Sequence, residues 1–122
     1  MAGVRQGLGD RGELLAEQFL ATRGYTVLAR KYRCREGEID LVCRDGETLT
    51  FVEVKTRRGS AFGAPEEAVT STKLAHLECA CHHYLQAHSL EEEPWRIDVV
   101  AIAMDRQGRV LDVRLITDAA EW

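Results

Sequence analysis

Between residues 38 and 56 the chain spells two β-rich runs, Glu38-Ile39-Asp40-Leu41-Val42-Cys43 and Leu49-Thr50-Phe51-Val52-Glu53-Val54-Lys55-Thr56, with Asp45-Gly46 between them. An Asp-Gly pair between two such runs is a strong short-range hairpin signal. A two-residue Asp45-Gly46 loop sets Arg44 opposite Glu47, Asp40 opposite Phe51 and Glu38 opposite Glu53. Side chains alternate along a strand, so Glu38, Asp40, Glu53 and Lys55 then share one face of the hairpin. A four-residue loop keeps that parity, whereas a three-residue loop with a bulge turns Asp40 away from Glu53.

The segments around the hairpin read as an alternation of helix and strand. Asp10, with Glu13 three residues on, marks a helix start. Leu14, Leu15, Phe19 and Leu20 give that helix an apolar stripe, and Gly24 ends it. Tyr25 to Arg30 reads as a strand, and residues 31–37 as a basic connection or a short edge strand. Gly59 to Pro65 is a loop. Thr70 or Ser71 caps a second helix that carries Leu74, Leu77, Cys81, Tyr84 and Leu85 on one face and ends near His88. After the acidic linker Glu91-Glu92-Glu93-Pro94, strands run from Trp95 to Met104 and from Val110 to Ile116, with a turn at Arg106-Gln107-Gly108. The predicted order is α-β-β-β-α-β-β, an α/β domain with a mixed sheet. With 122 residues this is one domain, with residues 1–8 and 117–122 as flexible tails. No apolar run is long enough to span a bilayer and no secretory leader is visible, so the expected compartment is the cytoplasm.

Net charge is −4, which by itself argues against a polyanionic partner. The charge is unevenly placed. Residues 23–58 hold nine basic and six acidic side chains, whereas residues 64–122 hold five and eleven. The basic stretch also contains the hairpin carboxylates. Three carboxylates and one ammonium within a few ångströms raise one another's pKa values and destabilise the fold unless something compensates. A hard divalent cation compensates well, and Mg²⁺ is typically bound through one or two carboxylates plus water and substrate phosphate. Lys55 beside it could orient or help deprotonate a water, or neutralise charge on a phosphate. A bare Glu-x-Lys is more often the solvent face of a strand. Here Leu49 and Phe51 share the face, and Asp40 interrupts an apolar run, so the charges stand at the open end of a covered sheet.

Gly37-Glu38-Ile39-Asp40-Leu41 and Phe51-Val52-Glu53-Val54-Lys55-Thr56-Arg57-Arg58 resemble the signature of the YraN family. So do Gly12-Glu13, Gly24-Tyr25, Phe62-Gly63 with Pro65, Lys73, and Arg96-Ile97-Asp98-Val99-Val100. That bacterial family is assigned to the restriction-endonuclease-like, or PD-(D/E)xK, superfamily. The similarity spans roughly residues 9–116. It implies a restriction-endonuclease-like fold, a mixed sheet flanked by helices and similar to archaeal Holliday-junction resolvases. It implies a Mg²⁺- or Mn²⁺-dependent endonuclease acting on structured or branched DNA, with Asp40 and Glu53 as metal ligands and Lys55 as the catalytic lysine. Glu13 would be an additional acid directed at the metal, or only a helix-capping residue. Glu38 is a weaker candidate. Resolvases of this fold act as dimers, so a homodimer follows by analogy. Ile39-Asp40 replaces the Pro-Asp of the superfamily name, and Lys31 stands where Asn is expected.

Arg30, Lys31, Arg33, Arg35, Arg57, Arg58 and Lys73 are the candidate nucleic-acid contacts, with Tyr25 and Tyr32 interspersed. A non-catalytic nucleic-acid-binding module of the same fold is the alternative. A protein-docking domain that uses the acidic half is a third reading. Cys79, Cys81, His82 and His83 suggest zinc, but one helix does not close a structural site, so core cysteines and surface histidines are the better account. Cys34, Cys43, Cys79 and Cys81 are expected to be reduced, at least two of them core-facing. Asp98 reads as structural. There is no phosphate-binding Gly loop and no Ser or Cys nucleophile arrangement.

Overall fold

A computed structural model describes residues 8–59 and 71–119. The elements are α1 (Leu8–Thr22), β1 (Thr26–Arg33), β2 (Glu38–Asp45), β3 (Thr48–Arg58), α2 (Ser71–Ala87), β4 (Trp95–Met104) and β5 (Val110–Ile116), in the order read from the sequence. The five strands form one sheet in sequential order. β1, β2 and β3 are antiparallel, α2 carries the chain across to a parallel β4, and β5 returns antiparallel. Residues 31–33, read as a connection or an edge strand, continue β1. Neither described helix is long and apolar enough to cross a membrane.

The helices lie on opposite faces of the sheet. Leu77, Cys81, Tyr84 and Leu85 of α2 pack on Val42, Leu49, Phe51, Ile97 and Val99. Ala16 and Leu20 of α1 pack on Leu41, Cys43, Val52, Val100 and Ile102. Leu14, expected in the α1 stripe, is 56% exposed, because the apolar face runs through Ala16 and Leu20 instead. Asp10 does not cap α1, which begins at Leu8, and instead receives the Lys31 ammonium at 2.8 Å. Gly24, at φ +87°, ends the helix. Tyr25 N–H donates to Leu20 C=O at 3.1 Å and Gly24 N–H to Ala21 C=O at 3.1 Å, the paired bonds of a Schellman motif. Thr70 and the loop through Pro65 lie outside the described residues, apart from Gly59. Of residues 117–122, Ala119 is buried among the α2-side residues, and Asp118 N–H donates to Asp98 Oδ1 at 3.0 Å.

The hairpin register differs from expectation by two. Asp45 pairs with Thr48 and Leu41 with Val52, so the turn residues are Gly46-Glu47. Gly46 takes φ +63° while Glu47 does not have positive φ, the pattern of a II′ turn, which needs glycine at its first central position. Parity is unchanged. The register, extended by one residue, sets Asp40 rather than Glu38 across from Glu53.

Asp98 is fully buried and its charge is met on several sides. Tyr25 Oη donates to Oδ2 at 2.8 Å and Arg96 Nε to Oδ1 at 2.9 Å, while Arg96 also reaches Asp45 at 2.7 Å. This network ties β4 to the start of β1 and the end of β2, and burial against Asp98 pushes the Tyr25 hydroxyl up to about 12. The structural reading of Asp98 stands.

Gly12 lets α1 lie close over β3. A Cβ at this position would come within 2.4 Å of Thr56 Cγ2, and Thr56 is β-branched with little rotamer freedom. Gly12→Ala is expected to lower stability by about 1–3 kcal/mol. Thr56→Ser, which removes that methyl, should recover much of the loss in the double variant. Urea midpoints of the four proteins measure the coupling, and additive effects would refute the close approach.

Candidate functional site: an acidic cleft at a parting strand pair

Alternation in β1 and β2 breaks at one level of the sheet. Ile39 belongs to the α2-side core and Leu41 to the α1-side core, although they are two residues apart. Across from them Arg30 pairs with Leu41 and Tyr32 with Ile39, which leaves Lys31 opposite Asp40. Lys31 has φ +52°, a left-handed conformation uncommon for a residue with a side chain. Both Arg30 and Lys31 reach α1, Arg30 to Glu17, and Lys31 to Asp10 and to Glu13 at 3.1 Å, while Tyr32 turns to α2. Asp40 is therefore released from the usual alternation and serves the gap between β2 and β3. The ladder between those strands ends at Leu41 and Val52, and Val54 N–H donates to Asp40 Oδ2 at 2.8 Å.

Where the strands part, a cleft of about 320 Å³ opens on the α2 side, lined by Glu36, Gly37, Glu38, Asp40, Glu53, Lys73, His76 and Leu77. Gly37 lies against α2, and a Cβ there would stand 3.0 Å from His76 C=O. Lys55 Nζ lies 3.3 Å from Glu53 Oε2. Asp40 is only 8% exposed. Burial first, then the Glu53 charge, push its carboxyl up to about 7, against the pull of the Val54 N–H. The Lys73 ammonium is pushed down by hydrogen bonding to Lys55 and by desolvation, while Glu53 and Asp40 pull it up.

The structure thus brings together Asp40, Glu53, Lys55 and Lys73, with Glu38 at the rim. Lys73 was expected as a nucleic-acid contact on a separate helix, and its closeness to Lys55 carries no local sequence signal. Glu36 and His76 were not singled out, although Gly37 marks the point where their segments meet. Glu13 stands elsewhere, in a neighbouring depression with Asp10, Leu14, Glu17, Arg30, Lys31 and Leu41, and its charge still raises the Asp40 pKa. Glu38 is paired with Arg33. Arg35 is exposed on the β1–β2 connection. Arg57 shares the strand face of Glu53 and Lys55. Arg58 projects to the α1 side, beside Gly108 and Arg11, so the two arginines do not form one patch.

Among the described residues, no three His, Cys, Asp or Glu side chains converge closely enough to enclose a metal ion. Two carboxylates at one cleft, one with its pKa raised by the other, do fit the oxygen-donor chemistry of Mg²⁺ or Mn²⁺. Cys43 and Cys81 are buried, Cys34 is half-buried and Cys79 exposed, all as free thiols. His83 meets Tyr32 Oη at 2.6 Å and His82 stacks edgewise on Trp95.

Fold and cleft define a small mixed α/β domain with an acidic site between parting antiparallel strands. Residues 12–102 match the model of the uncharacterised protein family UPF0102. A UPF0102 protein of Roseiflexus castenholzii is 48% identical over 122 residues, covering 99% of this chain and 98% of its own. One from Caldicellulosiruptor saccharolyticus is 43% identical over 112 residues, covering 92% and 95%. One from Moorella thermoacetica is 42% identical over 119 residues, covering 98% and 99%. The chain belongs to the UPF0102 family, the YraN family of the sequence resemblance.

The raised Asp40 pKa has a direct consequence for stability. The folded chain retains a proton that the unfolded chain releases between pH about 4 and about 7, so stability falls as pH rises through that window. Above it the charged carboxylate is buried beside Glu53 at full cost. In chelator, Asp40→Asn should be more stable than wild type by about 1–3 kcal/mol at pH 8, and about equal to it at pH 4. Urea midpoints at the two pH values check this, and a variant less stable at pH 8 refutes it.

Proposed function

We propose that this protein is a metal-dependent nuclease of restriction-endonuclease-like type, acting on nucleic-acid phosphodiesters, with structured or branched DNA the favoured substrate. The observation that carries the reading is the cleft itself: Asp40 and Glu53 at the point where β2 and β3 part, with Lys55 3.3 Å from Glu53. Asp40 and Glu53 would hold Mg²⁺ or Mn²⁺. When bound, the cation supplies Lewis acidity towards a phosphoryl oxygen and makes an attacking water more acidic.

The chain's own residues supply the rest. The Val54 N–H fixes the Asp40 carboxylate, so its orientation does not depend on a ligand. Lys55 places a positive charge where a scissile phosphate gains negative charge, or orients the water. Lys73 adds a second cation from α2 at the same cleft. Arg33, paired with Glu38 at the rim, Arg35 beside Glu36, and Arg57 on the strand face of Glu53 offer contacts to the flanking phosphates, while Arg30 and Lys31 stand on the α1 side with Glu17, Asp10 and Glu13. Glu13, held by Lys31, tunes the charge of Asp40 rather than lining the cleft.

The second reading, a module that binds nucleic acid without cleaving it, is favoured by one observation: Lys55 already pairs with Glu53. Incubation with branched, flapped, single-stranded and duplex DNA and RNA plus Mn²⁺ separates the two. Cleavage is expected on at least one substrate, with a loss of 100-fold or more, in order of magnitude, in Asp40→Ala, Glu53→Ala and Lys55→Ala. Binding should weaken steeply with salt in all four proteins. Salt-sensitive binding without cleavage on any substrate would establish the non-catalytic module, and cleavage surviving in the Asp40→Ala, Glu53→Ala double variant would refute the site.

A further inference from the structure

β5 forms the far edge of the sheet. Its inner side pairs with β4, and among the described residues no element pairs with its outer side. Val110 is 40% exposed and Leu111 62% exposed, two of only four large apolar side chains so exposed among the described residues. Val113 and Leu115 lie only partly buried on the α1 side, whereas Asp112 and Arg114 are exposed and paired with each other at 2.7 Å. A bare strand edge with apolar side chains is a template for another strand.

We propose that β5 is a homodimerisation edge: two copies of this chain pair antiparallel about a twofold axis at Val113, giving one continuous ten-stranded sheet. The charge pattern selects this occupant and this register. Opposed residues then sum to 226, so Asp112 faces the partner's Arg114 and Arg114 faces the partner's Asp112. On the other face Val113 meets its own copy, and the β-bulge at Leu111 ends the regular register there. Moving the axis one residue back sets Asp112 against itself and Arg114 against Val110. Moving it one residue forward sets Arg114 against itself and Asp112 against Ile116. Like charges directly opposite destabilise a strand pair and opposite charges stabilise it, so only the Val113-centred register of these three satisfies both faces. A twofold perpendicular to the sheet keeps each helix layer on its own side, so both acidic clefts open on the same side of the dimer. The proposal rests on the sheet and not on the nuclease reading, and its test reads mass rather than cleavage.

Sedimentation velocity of the full chain over a concentration series should show the monomer passing to a dimer. Asp112→Arg and Arg114→Asp each place like charges opposite one another at both symmetry-related pairs, and each alone should weaken association about ten-fold or more. An equimolar mixture of the two variants restores opposite charges at both pairs and should dimerise like wild type. So should the double variant Asp112→Arg, Arg114→Asp, which also keeps the pair within the strand. Thermal melts of the singles confirm that they are folded. A wild type that stays monomeric at every concentration overturns the proposal. A dimer indifferent to the reversals, or reversals that the mixture does not rescue, overturns it equally.

Discussion

The hydrogen bond from Val54 N–H to Asp40 governs the working end of this molecule. It replaces a backbone ladder bond with a side-chain one, and so marks the level at which β2 and β3 part. The carboxylate thereby acquires a fixed orientation and a buried environment together. A hydrogen bond to a charged group contributes roughly 1.5–3 kcal/mol. Even with it, burial and the Glu53 charge dominate and leave the Asp40 carboxyl at about 7. Positive charge brought into the cleft relieves this conflict, whether it comes as a metal ion, a rearranged lysine or a proton. Much of the site's chemistry follows from that unrelieved charge.

Two glycines set what each helix can bring to the cleft. Gly12 lets α1 approach β3, and Gly37 lets the β1–β2 connection approach α2. The two sides then sort by function. On the α1 side, Glu13 and Asp10 are neutralised by Lys31, so acidic residues near Asp40 do not add their full repulsion. On the α2 side, Lys73 and Lys55 stand together against Asp40 and Glu53. The left-handed backbone at Lys31 joins these arrangements, because it sends that ammonium to α1 while Asp40 turns to the gap.

The strands, helices and their order were legible because the apolar periods of the segments are distinct. A register error of two leaves strand parity intact, so Glu53 and Lys55 share a face, but Asp40 joins them through the break in alternation between Ile39 and Leu41, which no sequence pattern announces. The register itself was not legible, since Asp45-Gly46 suits a turn with glycine second, while the fold uses Gly46 first. The Asp10 cap failed for a similar reason: a capping side chain and an ion-pair partner for a distant lysine look alike in sequence. Lys73 beside Lys55 and Glu13 beside Lys31 are contacts between segments far apart in the chain. No local pattern encodes them. Arg57 and Arg58, both candidate nucleic-acid contacts, are sent to opposite faces by strand alternation.

That three of the basic side chains are already paired does not weaken the case for a polyanionic partner. Arg30, Lys31 and Arg33 are all exposed, and their carboxylate partners stand in or beside solvent. Exposed ion pairs contribute little to stability because water and salt screen them and ordering two long side chains costs entropy. A phosphate that displaces such a carboxylate releases condensed counterions, a gain the internal pair never had. On the proposed function, the exchange would be close to neutral inside the protein and favourable on the nucleic acid. Net charge over the whole chain misses this, because it weighs the acidic second half equally with the basic residues of 23–58.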